Sequence, residues 1–181
     1  MLSFVCRLGY EFNDPYTLKT IYCSFVRSVL EFASIIWMPF YQVHINRIES
    51  IQKRFLMFAL RKFNWGNGFD LPKYVNRCKL IDIETLHTRR INFCLLFMYD
   101  VINNIIDPEL KQFIKFNESS KNVRNYRLLR IEYRRTNYGM NSPFIRMSQF
   151  LNNCKCFSLT IKRSEFKSMI KNHSCNITFR Y

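Results

Sequence analysis

Glycine and proline are scarce, with four and five residues in 181. That excludes a collagen-like or loop-dominated chain. Acidic residues are scarce too: 13 against 28 lysines and arginines, a formal net charge of +15. No run reaches the ~18 apolar residues that a membrane helix needs. The best stretches, Ser28–Val43 and Phe93–Ile102, are broken by Glu31 and Pro39, or stop at Asp100 and Asn103. Met1–Tyr10 lacks a basic segment followed by a long apolar one, so no secretory signal is expected. The sequons at Asn117, Asn172 and Asn176 then carry no meaning. Also missing are a Walker loop, G-x-G-x-x-G, G-x-S-x-G and H-E-x-x-H. Asp14, Asp70, Asp82, Asp100 and Asp107 stand isolated, whereas two-metal polymerases and nucleases cluster their carboxylates. His44, His87 and His173 have no nucleophile nearby in sequence and read as structural or surface groups. No catalytic residue and no cofactor are expected.

What is present is apolar content: 48% hydrophobic residues and 17% aromatics, enough to fold. The charge is uneven. Residues 41–80 carry eight basic and two acidic groups, residues 121–181 thirteen and two, and 81–120 four and six. Two basic zones flanking a neutral-to-acidic middle suggest a polyanion partner. Seven cysteines are an odd number and widely spread, which fits reduced thiols in a nuclear or cytoplasmic protein. One metal-like pattern exists, Cys154-x-Cys156 with His173-x-Cys175. Its one-residue spacing strains chelation, so it stands as a weak candidate and no metal is expected.

Helical periodicity predicts a first helix over Asp14–Trp37, capped by Asp14 with Pro15 at its first position. Its core face is Leu18, Ile21, Tyr22, Phe25, Val26, Val29, Phe32, Ala33 and Ile36. A second helix over His44–Lys62 has its core face at Ile48, Ile51, Phe55, Phe58 and Ala59. Arg47, Arg54 and Arg61 repeat every seven residues along one edge, about 10 Å apart. Lys53 and Lys62 extend that surface, and Glu49 is the helix's one acid. A turn-rich stretch at Asn64–Pro72 holds Trp65, read as a core plug. A short helix over Tyr74–Leu80, a long apolar one over Ile83–Ile105 and a short one opened by Asp107-Pro108 follow. Asn117–Asn125 is polar. Leu129, Ile131 and Tyr133 then alternate with Arg130, Glu132 and Arg134, which predicts a half-buried strand. A turn at Thr136–Gly139 and helices opened by Ser142-Pro143 and Ser164 complete the chain.

Several ordered blocks resemble one family. They are Glu11–Tyr22, Arg27–Glu31, Trp37-Met38-Pro39, Gln42–Leu56, then Leu71-Pro72, Tyr74, Arg77-Cys78, Leu80 and Leu86, and finally Arg134–Gly139 with Asn141, Pro143 and Arg146-Met147. Together they resemble the C-terminal part of the polyprotein of LINE-type, non-LTR retrotransposons, in particular the insect Jockey-like group. The resemblance spans most of residues 8–170. It implies the thumb and post-thumb region of a reverse transcriptase, helical elements that grip RNA template and primer. The palm and the endonuclease would lie before Met1, and no catalytic residue carries over.

The expected fold is mainly α: a helical thumb-like bundle over 1–116, a linker over 117–126 and a small basic mixed α/β region over 127–181. The expected function is non-catalytic binding of RNA or an RNA–DNA hybrid through phosphates, with no membrane partner. Arg47, Lys53, Arg54, Arg61, Lys62, Arg127, Arg130, Arg134, Arg135, Asn137 and Tyr138 are the expected contacts. The alternative is a degenerate remnant or a helical protein-interaction module.

Overall fold

The structure, a computed structural model, describes residues 1–63, 73–117, 127–154 and 157–172. It is mainly helical, as expected. The helices are α1 (Leu2–Leu8), α2 (Pro15–Ile21), α3 (Ser28–Glu31), α4 (Ser34–Trp37), α5 (Gln42–Lys62), α6 (Tyr74–Leu80), α7 (Leu86–Ile102), α8 (Asn137–Met140), α9 (Pro143–Asn153) and α10 (Arg163–Asn172). A π-helical segment, Tyr22–Arg27, joins α2 to α3, and a 3₁₀ segment spans Pro108–Phe113. The chain divides into two compact units, Met1–Arg90 and Ile91–Tyr181, so the division falls within α7. Most of the expected linker, together with Trp65, lies outside the described residues. No helix of the described residues is long and apolar enough to cross a membrane.

The first unit closes on Val5, Leu18, Tyr22, Val26, Phe55, Leu56, Ala59, Leu60, Cys78, Ile81 and Ile83. Tyr22 stacks on Phe55 at 3.9 Å and 9°, and both rings are fully buried in this core. Asp14 accepts from the Thr17 N–H at 2.8 Å, the N-cap its position predicts. Gly9 lets α1 meet α5: a β-carbon there would sit 2.8 Å from Leu18 and 2.9 Å from Phe58. Larger residues do not fit that approach without displacing the packing.

The single helix expected over Asp14–Trp37 is broken, and its far face is not core. Phe25, Val29, Phe32 and Ile36 are exposed. The reason is local. A π-helical turn bonds i to i+5 and slips the phase of everything after it by one residue. Phe32 then turns extended and Ala33 left-handed, at φ 49°, which ends the helix.

In the second unit, Asp107 caps the 3₁₀ segment through the Glu109 N–H, as its place before Pro108 predicts. Phe113 stacks on Phe144, and Tyr99 on Phe166. The Asp100 carboxylate takes both arms of Arg163, at 2.6 and 2.8 Å, and fixes the start of α10. The strand expected at Leu129–Tyr133 does not form: no strand occurs among the described residues. Leu129 makes one antiparallel bridge with Phe116 and is buried, while Tyr133 is 82% exposed. The Asn152 side chain takes the place of a neighbouring strand. Its amide accepts from the Leu129 N–H at 3.0 Å and donates to the Leu129 carbonyl at 2.8 Å. An Asn amide offers the same donor–acceptor pair as a peptide group, so no ladder is needed there.

Candidate nucleic-acid interface

Helix α5 positions the first group of cations. Its 21 residues make a rod of about 31 Å. Arg61 and Lys62 stand in its last turn, where positive charge complements the helix dipole. Arg47, Arg54 and Arg61 are all exposed. None of the three forms an ion pair with a carboxylate among the described residues. A heptad repeat drifts by about 20° per turn of the pattern, so the three stay on one edge of the helix.

Glu49, the one acid of α5, is turned inward. It accepts from the Tyr74 hydroxyl and, at 2.6 Å, from the His87 backbone N–H. Gln52 continues the network: Tyr22 donates to its oxygen at 3.1 Å, and its nitrogen donates to the Tyr74 hydroxyl and to the Glu84 carbonyl. Burial, with the hydrogen bond to Glu49, pushes the Tyr74 hydroxyl pKa well up, and burial does the same at Tyr22. Burial lowers the pKa of His87, whose Nδ1 has no hydrogen-bond partner among the described residues. The exposed edge of α5 is therefore cationic with no acid of its own helix beside it. The helix wheel already places Glu49 among Ile45, Gln52 and Leu56, and that is the signal for its inward turn.

Lys53 and Lys62 serve the fold. The Lys53 ammonium lies 5.1 Å from the centroid of the Tyr74 ring. Lys62 donates to the backbone carbonyls of Gly9 and Tyr10, the latter at 2.8 Å, and ties down the end of α1. Beside Lys62 opens a cleft of about 430 Å³ lined by Tyr10, Arg54, Met57, Phe58 and Arg61. Tyr10 carries no periodic signal in the sequence; only the tertiary packing of α1 on α5 brings it there.

In the second unit, Arg127, Arg130, Arg134 and Arg135 are exposed, as are Asn137 and Tyr138. Arg130 and Arg134 border one cleft of about 190 Å³, with Lys115, Glu132 and Phe144. Glu132 is shared between Lys115 at 2.5 Å and Arg134 at 3.1 Å, and its pKa is lowered mainly by Lys115. Lys115 is thus a further cation of this surface, held beside Arg130 by the backbone pairing of their segments. Asn137 and Tyr138 open the one-turn α8, capped by Thr136. Two other arginines are withdrawn from the surface. Arg90 is buried over the Trp37 ring, and Arg146 donates to the Asn141 carbonyl; burial lowers both pKa values.

Of the weak zinc candidates, Cys154 is buried, and Cys156, His173 and Cys175 lie outside the described residues. Among the described residues no group of three or more potential ligands assembles. Cys6, Cys23, Cys78 and Cys94 are free thiols, and burial pushes Cys94 up to about 11. No family model, no curated protein and no solved structure matches the chain.

Proposed function

We propose that this chain is a non-catalytic nucleic-acid-binding module, the thumb and post-thumb part of a non-LTR reverse transcriptase of the Jockey-like type. It grips RNA or an RNA–DNA hybrid through the phosphate backbone. The observation that carries this reading is the exposed row Arg47, Arg54 and Arg61 on a helix whose only acid is buried. Phosphate contacts of this kind give affinity with little sequence readout. Arg127, Arg130, Arg134 and Arg135 supply a second set of contacts, with Asn137 and Tyr138 beside them. No residue is assigned a catalytic role.

Binding to RNA or to a hybrid then weakens steeply as salt rises, by about one released counterion per contacted phosphate. Replacing Arg47, Arg54 and Arg61 by Gln flattens the slope of log affinity against log salt by about 2–3. Fluorescence anisotropy across a salt series measures it. A folded triple variant with unchanged slope and affinity overturns the reading. It favours instead a helical protein-interaction module, for which the exposed Phe25, Val29, Phe32 and Ile36 are the supporting observation.

A further inference from the structure

The cleft beside Lys62 has the chemistry of a base-stacking site. Tyr10 follows the end of α1, and its main chain is fixed by the Lys62 ammonium on its carbonyl. Its ring meets Phe58 edge-on, with centroids 5.2 Å apart and planes at 77°. Even so, the residue is 70% exposed. One aromatic face is therefore held in place and left open to solvent. Met57 and Phe58 contribute apolar surface to the same cleft. Arg54 precedes them by one turn and Arg61 follows by one turn, so the two arginines flank the apolar patch with their Cα atoms about 10 Å apart along the helix. In a stacked strand, where successive residues rise about 3.4 Å, that separation covers about three nucleotide steps. The volume of about 430 Å³ lies within the ~300–1,000 Å³ of small-molecule pockets.

We propose that this cleft takes one unpaired base of a single-stranded nucleic acid, stacked on Tyr10, while Arg54 and Arg61 hold two phosphates of the same strand about three steps apart, one before that base and one after it. The inference rests on the nucleic-acid reading above and narrows it to single strands at this site. A base inside a duplex has no free face to offer. A splayed base stacks readily on aromatic side chains, and basic grooves track the strand that carries it. An apolar peptide side chain would fill the patch but would bring no anions to the two arginines, neither of which has a carboxylate partner among the described residues.

The test uses a short single-stranded oligonucleotide carrying one 2-aminopurine, and a duplex of the same length. Wild-type protein quenches the 2-aminopurine on binding. Tyr10→Ala removes the quenching and weakens single-strand binding by about 5-fold or more. Its salt slope stays as in the wild type, because no phosphate contact is lost, and duplex affinity is unchanged. Tyr10→Phe keeps affinity and quenching. Tyr10→Leu, which keeps apolar bulk without a π face, behaves as Tyr10→Ala. If Tyr10→Ala or a folded Tyr10→Leu binds the single strand like the wild type, the stacking site is overturned. The phosphate reading still stands if the triple arginine variant flattens the slope. An equal loss on single strand and duplex also overturns the stacking site. A wild-type chain that binds neither at low salt overturns both.

Discussion

Glu49 shows how one residue sets two properties at once. Its carboxylate, placed at the spacing of the core face of α5, anchors Tyr74 and the first turn of α7. By the same placement it leaves the opposite edge of the helix without an acid. His87 shares its environment. Burial holds the His87 pKa below the ordinary 6.5, Arg90 lowers it further and Glu49 pulls it back up. The folded state thus binds the proton less readily than the unfolded chain does. Stability from this group is present above about pH 6.5 and declines as pH falls from there towards the depressed folded value. Replacing His87 by Gln flattens that part of the profile, measured as urea midpoints across a pH series. Parallel profiles for the two proteins would show that other groups set the slope. The sequence shows Glu49 as the lone acid of its helix, but the core face expected from Ile48, Ile51 and Phe58 left it outside; the structure buries it with Ile45, Gln52 and Leu56 instead. The stacking face of Tyr10 was not legible in the sequence, because it exists only where α1 crosses α5.

At the scale of the element, periodicity reads well where a helix is regular. α5, α6 and α7 lie where their apolar spacing predicts them, and the caps at Asp14 and Asp107 hold as proline after aspartate suggests. It fails where the backbone changes its own period. From Tyr22 onward a helical wheel drawn at a constant angle puts Phe25, Val29, Phe32 and Ile36 inside, and the π-helical turn followed by the break at Phe32 and Ala33 leaves them outside. The alternation at Leu129–Tyr133 fails for a different reason: a strand needs a neighbour, and a side chain supplies it instead. Asn152→Ala leaves the buried Leu129 N–H and carbonyl without that partner. The expected cost is about 1–3 kcal/mol, read from chemical denaturation. Asn152→Asp, which can accept but not donate once ionised, loses the carbonyl bond and also destabilises. A fully stable Asn152→Ala protein would mean that Phe116 and solvent satisfy both groups.

Over the whole molecule, the surplus of cations is sharpened by where the acids go. Asp14 and Asp107 cap helices. Glu31 and Glu84 face Arg89, Asp82 faces Lys19, Asp100 holds Arg163, and Glu132 is shared by Lys115 and Arg134. Glu49 is buried. With a net charge of +15 the folded chain repels itself at low ionic strength. Its thermal midpoint therefore rises as sodium chloride increases from about 0.01 M to 0.15 M, where the screening length shortens from about 30 Å to about 8 Å. Scanning fluorimetry in a chloride series measures this, and a flat or falling midpoint would show that local ion pairs outweigh the overall repulsion. Because none of Arg47, Arg54 and Arg61 pairs with a carboxylate among the described residues, the balancing charge for them comes from the solvent. A phosphate or sulfate buffer offers the guanidinium groups the same oxygen geometry as a phosphodiester. In such a buffer the anion acts as a competing ligand, and chloride and phosphate at equal ionic strength become two chemically different environments for this protein.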